Sequence, residues 1–469
     1  MNYKKTLEEA KKDFEEKILP GLKEFIQIDN LSPDFDPDWE TNGKAEKAGM
    51  HLINWAKDQG IKGLKADLYK EQGKTHMIII DIESQGIDKT IFLYGHYDKQ
   101  PPLGEWNEGL HPNKPVLKDG LLYGRGSSDD GYALFAIIES IKLIQKQNVK
   151  HGRIVILIES GEESGSPDLV QYILNLKDRL GKPDLMICMD SGCKDYSSLW
   201  MTTSLRGQVG FEIEVECLKE SVHSGSGSGV APDSFTVLRS LLDRLEDSKT
   251  AKVIEAFNVE IPKYRVEDAK KLAEYQKEKV VNDLVKLSEG VKPLTEDYKE
   301  IILNNTWRPT LTVIGMTGFP PAEGAGNVLR DKTKASLSIR LPPTFDSNLA
   351  EKMIIDILTK DPPYNSKINV KILYTEHGWA AKDMDQTLKK SFSESSKFLF
   401  GKDYYNSGEG GTISFIYELE KLYPQCEIVV TGVLGPGSNA HCLNECLNID
   451  YTVRMIVALS HAICDFSNK

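Results

Sequence analysis

Three apolar runs in this chain end at side chains that could bind a metal ion or catalyse a reaction. The runs span residues 91–94, 154–158 and 185–189, and His96 and Asp190 come directly after the first and the third. Short, continuous apolar runs of this kind predict strands that are buried on both faces. In open α/β sheets, ligands bind at the carboxyl ends of such strands. We therefore predict an α/β fold with a mixed, mostly parallel sheet, helices on both faces and functional side chains along one edge.

The first run leads into Gly95-His96-Tyr97-Asp98. Residues two apart in an extended chain face the same way, so His96 and Asp98 can serve one site. A metal-bound imidazole usually needs a carboxylate on its second nitrogen, and Asp98 is placed to be that partner. The pattern alone would also suit a surface histidine beside a solvated carboxylate.

A glycine-rich stretch, residues 123–131, carries Asp129 and Asp130 just before an apolar helix pattern over residues 133–144. The glycines permit a tight backbone path into the helix. Ordinary helix capping would explain one of these two carboxylates, because Asp is favoured at a helix start. The other remains a candidate metal ligand.

Two adjacent acids, Glu162 and Glu163, follow the second run. A two-metal hydrolase needs one carboxylate to hold a metal ion and a second, uncoordinated one to take the proton of an activated water. The pair can divide those tasks, although a solvated acidic loop is the simpler alternative. His441 completes the candidate set from a glycine-rich loop ahead of a helical run over residues 449–466.

The sequence motifs that contain these residues resemble those of the co-catalytic di-zinc exopeptidases of metallopeptidase family twenty. That family includes cytosolic nonspecific dipeptidase, carnosinases, carboxypeptidase G and acyl-amino-acid deacylases. The matching phrases are GHYDKQP, YGRGSSDDG, ESGEESGS, MDSG and NAHCLNE, and the later SIRLPP and GEGGT are similar to the dipeptidase-like members. The resemblance spans almost the whole chain and implies hydrolysis of short peptides, with dipeptides as the expected substrates.

The resemblance also implies a ligand set for two zinc ions per subunit, with manganese or cobalt as alternatives. His96 and Asp190 would hold one ion, Glu163 and His441 the other, and Asp129 would bridge them. Two Zn²⁺ ions against three carboxylates leave one positive charge, which a bridging hydroxide would cancel.

The remaining catalytic roles follow from the same resemblance. Asp98 would orient His96, and Glu162 would be the general base for attack of the bridging hydroxide. Family members carry a cis peptide after the bridging aspartate, here Asp129–Asp130. Many relatives read Asp-Asp-Lys-Gly where this chain has Gly131 and Tyr132 after the two acids. The missing Lys is not a ligand in the family, so the expected metal site is unchanged, while the subgroup and the substrate-side contacts are left open.

The chain is expected to form a catalytic domain from residues 1–206 and 380–469, interrupted by an inserted lid of residues 207–379. An amphipathic helix over residues 7–27 is expected to pack on the catalytic domain. The predicted strands and helices of the lid follow a βαββαβ order when the charged helical stretch at residues 264–287 is set aside as an insertion. The strands and helices of this order are predicted at residues 209–217, 234–245, 310–316, 335–341, 348–358 and 368–374.

Four further residues are assigned substrate or transition-state contacts by the resemblance. His223 would reach across a homodimer interface formed by the lid and support the oxyanion in the neighbouring site. Arg340 would clamp the substrate carboxylate with its guanidinium fork. Asn327 and Thr412 would add polar contacts. Without the resemblance, His223 and Arg340 would be interpreted as ordinary surface side chains.

Composition limits the partners, the cellular location and the disulfide content that we expect of this protein. A net charge of −12 argues against nucleic acid and anionic membranes as partners. The first 16 residues are crowded with Lys and Glu, so we expect neither a secretion signal nor a membrane span and predict a cytoplasmic protein. Seven cysteines without a C-x-x-C pair predict no disulfide framework, and Cys442 and Cys446 lack the second pair that a structural zinc site needs.

Four rival functions are less favoured. A nucleotide site is disfavoured because Gly73-Lys74-Thr75 lacks the upstream glycine of a phosphate loop. A serine hydrolase is disfavoured because no serine stands in a G-x-S-x-G frame. An N-acyl-amino-acid deacylase of the same fold is the stronger alternative to a dipeptidase. A catalytically silent interaction protein is less favoured, because every expected ligand and the base are present.

Overall fold

The computed structural model describes the backbone of residues 1–469 and every side chain except that of Ser414. The chain forms two compact units. The first comprises Met1–Thr203, Ala381–Asn406 and Glu418–Lys469, and the second comprises Ser204–Ala380 and Ser407–Tyr417.

The short segment Ser407–Tyr417 departs from the sequence-based division, which places it in the catalytic domain. In the structure it belongs to the second unit because its backbone lies against that unit. The backbone N–H of Arg206 donates to Gly411 O at 3.0 Å. Gly408 lies so close to Ser204 that a Cβ at this position would meet Ser204 Oγ at 2.5 Å. These contacts join residues far apart in the sequence, so local patterning could not indicate them.

The first unit is built on a mixed sheet whose four central strands are parallel to one another. The outer pairs are antiparallel. Nearly all residues of the central strands are buried, as their apolar composition predicts. The predicted α/β class is confirmed. In spatial order the strands are Leu64–Tyr69, Met77–Ile82, Arg153–Glu159, Thr90–His96, Leu185–Cys188, Glu427–Val430 and Trp200–Leu205.

Helices and a small second sheet complete the first unit. The N-terminal helical stretch begins at an Asn2 cap, whose Oδ1 accepts from Lys5 N at 2.9 Å, and it includes one π-helical turn, Phe14–Ile18. The small sheet contains Val116–Lys118, Leu121–Tyr123 and Cys446–Asn448. The helices, including one that crosses the boundary at residue 417, are Tyr3–Asp13, Leu19–Ile26, Pro33–Phe35, Lys44–Asp58, Tyr132–Lys146, Glu162–Ser164, Leu169–Asn175, Lys177–Leu180, Gln386–Phe400, Ser414–Leu422 and Ile449–Ser467.

The second unit contains a four-stranded antiparallel sheet in the order Thr310–Thr317, Lys332–Leu341, Gly207–Glu216, Lys367–Glu376. Helices Ser234–Leu242 and Ser347–Thr359 supply core side chains such as Leu238 and Ile354, which pack with inward-facing residues of the strands. This is the predicted βαββαβ arrangement. The connecting elements are Val222–His223, Ser224–Gly227, Glu246–Asp247, Lys252–Val253, Glu255–Phe257, Lys263–Gln276, Lys279–Asn282, Tyr298–Thr306, Ala322–Gly324, Val328–Leu329, Pro363–Asn365, Trp379–Ala380 and Tyr405–Glu409.

Within the part of the chain that the structure describes, no helix has both the length and the apolar character needed to cross a bilayer.

A buried ionic cluster joins the N-terminal helix to the helix Tyr132–Lys146. Asp13 accepts from Lys142 and Lys146, each at 2.8 Å, and Lys142 also pairs with Glu139 at 2.8 Å. The Asp13 and Lys142 side chains are each only 6% exposed. Although burial opposes its ionisation, the hydrogen bonds from Lys142 and Lys146 hold the pKa of Asp13 below its usual value.

We expect Asp13→Ala to lower the free energy of unfolding by about 3 kcal/mol at pH 7, because the buried ammonium group of Lys142 loses one of its two carboxylate partners. The folded-state pKa of Asp13 is depressed, so its contribution is present above the unfolded pKa of about 3.9 and is lost as the pH falls through the folded pKa. Urea denaturation at pH 7 and in acid would therefore show a difference between wild type and variant that shrinks in acid.

The matched control is Glu83→Ala, which removes an exposed ion pair with Lys65. Exposed pairs contribute at most about 1 kcal/mol. A loss for Asp13→Ala no larger than that for Glu83→Ala would contradict a stabilising role of the buried cluster.

Candidate metal centre

Three of the predicted ligands lie at the carboxyl ends of neighbouring parallel strands. His96 is the last residue of its strand, and Asp190 lies two residues beyond the end of the next. Glu163 lies in the helical turn Glu162–Ser164 that follows the strand on the other side of His96. Because the strands are parallel, their ends meet at one edge of the sheet.

The other two ligands come from loops. Asp129 precedes the helix Tyr132–Lys146, and its peptide bond to Asp130 is cis, as the family resemblance implies. The N-cap of this helix is Gly131, with no side-chain cap, so capping explains neither aspartate. His441 lies in the loop before strand Cys446–Asn448, and its side chain is 55% exposed.

The two carboxylate oxygens of Asp129 face different histidines. Asp129 Oδ1 lies 3.3 Å from His96 Nε2, and Asp129 Oδ2 lies 3.0 Å from His441 Nε2. His96 Nε2 is 3.9 Å from Asp190 Oδ1, and His441 Nε2 is 3.1 Å from Glu163 Oε2. The five side chains therefore form two triads that share Asp129.

The triads suit divalent metal ions. Their ligand atoms lie within 4.8 Å of one another in each triad, and imidazole nitrogen with carboxylate oxygen is a donor set that Zn²⁺ accepts. Glu163 Oε1 is buried and has no hydrogen-bond partner among the described residues, whereas Glu163 Oε2 accepts from Gln100 Nε2 at 2.7 Å. A buried oxygen without a hydrogen-bond donor is consistent with binding of a cation.

Electrostatics at the centre also favour added positive charge. Burial raises the pKa of Asp190 to about 7, against the opposing attraction of His96. Hydrogen bonds to Asp129 and Glu163 raise the pKa of His441 to about 11. Burial would lower the pKa of His96, yet its interactions with Asp129 and the neighbouring carboxylates raise it well above the usual value. The carboxylates therefore dominate the electrostatic potential at this centre.

Asp98 links His96 to the turn that carries the two glutamates. Its Oδ1 lies 3.4 Å from His96 Nδ1, and its carboxylate accepts from Glu162 N at 3.2 Å and from Glu163 N at 3.1 Å. Burial, followed by repulsion from Asp190, raises the pKa of Glu162 well above its usual value. Glu162 belongs to neither triad. Its carboxylate therefore lies next to a candidate ligand without belonging to the ligand set.

Glu445 was not predicted as a site residue, although it ends the matched phrase NAHCLNE. Its buried carboxylate accepts from the backbone N–H groups of Gly126 at 3.0 Å, Ser128 at 3.0 Å and Asp129 at 3.2 Å. Arg125 Nη1 donates to the same carboxylate at 2.8 Å. Glu445 thus holds the backbone that presents Asp129. The signal was an acid four residues after a predicted ligand, which by itself indicates no role.

Tyr132, one of the two residues that depart from the family phrase, is also close to the centre. Its buried hydroxyl donates to Met189 O, the carbonyl just before Asp190. The departure therefore supplies a contact to the strand end that carries Asp190.

The second unit holds the other four predicted site residues. Arg340 Nη1 donates to Thr412 Oγ1 at 2.9 Å. His223 is exposed, and its Nδ1 accepts from Gly225 N at 3.1 Å. Asn327 lies close to His223 in the fold, because Asn327 O accepts from Ser224 N at 2.9 Å. The four residues thus form two pairs within this unit.

An α/β sheet that ends in two carboxylate–histidine triads defines the class of metal-dependent hydrolases. Residues 92–465 match the model of Peptidase family M20/M25/M40, and the chain belongs to that family and is a peptidase.

Two relatives and one solved structure are similar to this chain. The chain is 26% identical over 385 residues to the cysteinylglycine-S-conjugate dipeptidase of Corynebacterium striatum, covering 81% of each protein. It is 26% identical over 370 residues to the Cys-Gly metallodipeptidase DUG1 of Saccharomyces cerevisiae, covering 77% of this chain and 76% of the relative. The crystal structure of human carnosine dipeptidase 1 shares the fold, with a TM-score of 0.73, 22% identity and coverage of 100% and 99%.

We expect Glu445→Gln to weaken metal binding about 10- to 100-fold, because partners that orient ligands typically contribute this much. Competition with a chromophoric zinc chelator would measure the change. Glu46→Gln, which removes an exposed ion pair with Lys70, is the control and should leave the affinity unchanged. A folded Glu445→Gln protein with wild-type zinc affinity would show that Glu445 does not support the ligand set.

Proposed function

We propose that this protein is a metal-dependent dipeptidase that hydrolyses the peptide bond of dipeptides at a two-ion centre. The substrate class is supported by the relatives of this chain, the cysteinylglycine-S-conjugate dipeptidase and the Cys-Gly metallodipeptidase. One structural observation carries the two-ion proposal. The two oxygens of Asp129 face different imidazoles, at 3.3 Å and 3.0 Å, as a bridging ligand requires.

In this proposal His96 and Asp190 hold one ion, Glu163 and His441 hold the other, and Asp129 bridges them. Zinc is the proposed metal, with manganese or cobalt as alternatives. When bound, the ions would acidify a water molecule and polarise the scissile carbonyl. Asp98 fixes the ring of His96 at Nδ1, which lies 3.2 Å from Asp98 O and 3.4 Å from Asp98 Oδ1, and this leaves Nε2 directed at the ligand carboxylates.

Glu162 is the proposed general base. It takes the proton of the attacking water and passes it to the leaving amine. Its raised pKa makes the carboxylate a better proton acceptor than an exposed glutamate. Asp98 holds the backbone of its turn through Glu162 N and Glu163 N, so Glu162 is placed by the same residue that orients His96.

The first unit is the proposed catalytic domain and the second the proposed lid and dimerisation domain. Arg340 would bind the C-terminal carboxylate of the substrate, and Asn327 and Thr412 would add polar contacts. Within the described residues no two cysteines are joined in a disulfide, which suits the reducing conditions of the cytoplasm.

His223 is proposed to act in the site of a partner subunit. Because its Nδ1 accepts from Gly225 N, the proton of the neutral imidazole lies on Nε2, where it can be donated to an oxyanion. The strand Thr310–Thr317 is at the edge of the second unit's sheet and exposes Val313, Ile314 and Met316. An apolar edge strand of this kind favours symmetric pairing with a second copy.

The substrate class is tested by steady-state assays of the metal-loaded protein on a panel of dipeptides and on N-acetyl and N-succinyl amino acids. We expect higher kcat/KM on the dipeptides, with each metal in turn. Faster cleavage of the N-acyl amino acids would favour the deacylase instead. Absence of turnover on every substrate, with two ions bound, would contradict an enzymatic role.

We expect Glu162→Gln to bind two metal ions and to lose roughly 10²- to 10⁴-fold in kcat, because only proton transfer is removed. Elemental analysis and kcat together provide the measurement. Glu220→Gln, an exposed acid of the second unit, is the control. Activity of Glu162→Gln within a few-fold of wild type would exclude Glu162 as the base.

The trans action of His223 predicts complementation. Glu162→Ala and His223→Ala, each nearly inactive alone, are dissociated, mixed and reassociated. In a heterodimer one site then inherits both lesions and the other inherits neither, so statistical pairing restores up to about a quarter of wild-type activity. No recovery from verified heterodimers, or a fully active monomer in sedimentation, would contradict the proposal.

A further inference from the structure

A buried arginine, Arg206, ties together two segments of the second unit. Its Nε donates to Gly410 O at 3.1 Å, and its Nη1 donates to Thr310 Oγ1 at 3.0 Å and to Arg308 O at 3.4 Å. The side chain of a lysine could not make these contacts together, because they need the planar fork of a guanidinium. Arg206 therefore fixes the segment that leads to Thr412.

Thr412 connects Arg206 to Arg340. Thr412 Oγ1 donates to Arg206 O at 2.6 Å and lies 2.9 Å from Arg340 Nη1, from which it accepts. A hydroxyl has a single proton to donate. Since that proton is directed at Arg206 O, the oxygen lone pairs are left to face Arg340. The order of donation is thus fixed from Arg340 through Thr412 to the backbone of Arg206.

The two guanidinium groups also influence each other electrostatically. Burial lowers the pKa of Arg206 to about 10, and the nearby charge of Arg340 acts in the same direction. Burial lowers the pKa of Arg340, against the opposing effect of Glu376. In the described part of the chain, both groups hydrogen-bond to neutral oxygens. An anion beside Arg340 would offset this concentration of positive charge.

We propose that Arg206 is a positioning residue that, through Thr412, holds the guanidinium of Arg340 in one orientation and so makes the enzyme select peptides with a free C-terminal carboxylate over their C-terminal amides. This inference rests on the proposed function, in which Arg340 binds that carboxylate. A carboxylate needs two N–H groups in a set direction, whereas a neutral amide gains little from a fixed cation. Arg206 thereby acts on specificity without contacting the substrate.

The test compares kcat and KM for one dipeptide and for its C-terminal amide. The chosen variants are Thr412→Val, Thr412→Ser, Arg206→Lys and Arg340→Met. We expect Thr412→Val and Arg206→Lys to reduce the acid-to-amide ratio of kcat/KM about tenfold, through a higher KM for the acid, because a hydrogen bond to a charged group is lost or misdirected. Turnover of the amide by Arg206→Lys should stay within about twofold of wild type. Thr412→Ser keeps the hydroxyl and should restore the wild-type ratio.

Arg244→Met is the matched control. Arg244 lies in the same unit and also donates to backbone carbonyls, those of Ile357, Lys360 and Asp361, but it is not part of the Arg340 network. It should leave the ratio unchanged even if it lowers stability.

Two outcomes would overturn the inference, and they differ in whether the proposed function fails as well. If Arg340→Met abolishes the ratio while Thr412→Val leaves it intact, Arg340 binds the carboxylate but needs no positioning by Arg206. If Arg340→Met itself leaves the ratio intact, the carboxylate contact of the proposed function is wrong and the inference fails with it. Thr310→Val removes an acceptor of Arg206 Nη1 at a residue outside the proposed substrate contacts, and it should lower the ratio in the same direction as Arg206→Lys. It therefore separates positioning by Arg206 from loss of a direct Thr412 contact, even if Arg206→Lys fails to fold.

Discussion

The carboxylate of Asp129 lies between two imidazoles, and the other features of the metal centre depend on its position. The carboxylate is held in place from behind, because Glu445, 316 residues further along the chain, accepts from the backbone N–H of Asp129 and of residues just before it. Burial of this second carboxylate is offset by Arg125, which donates to it at 2.8 Å. A buried acid without such a partner would be strongly destabilising. The bridging position of Asp129 therefore rests on a buried ion pair that binds nothing itself.

The parallel strands provide the remaining geometry. They end at a common edge, and Asp98 connects the end of one strand to the turn after its neighbour by accepting from Glu162 N and Glu163 N. A single carboxylate thus sets the orientation of His96 and the backbone of the proposed base. Strand ends suit this purpose, because side chains there leave the packed core while their backbone stays anchored in the sheet.

The second unit also holds charged side chains in place through hydrogen bonds, but here the charged groups are guanidinium cations. Its polar network is a chain of hydrogen bonds from Arg340 through Thr412 to the backbone of Arg206. Buried guanidinium groups without a carboxylate partner are costly, so proteins keep them where an anion binds or where they organise backbone carbonyls. Arg206 is buried and organises the carbonyls of Gly410 and Arg308, and the network connects it to Arg340.

The sequence alone determined the α/β class, the βαββαβ order of the second unit and the identity of the five candidate ligands. Apolar runs report burial on both faces of a strand, and an acid or histidine directly after such a run marks its exit. Only the tertiary structure decided which oxygen of Asp129 faces which histidine, that Glu445 accepts from the backbone of Asp129, that Thr412 links Arg340 to Arg206, and that Ser407–Tyr417 belongs to the second unit. These features consist of contacts between residues distant along the chain, and such contacts leave no periodic trace in the sequence.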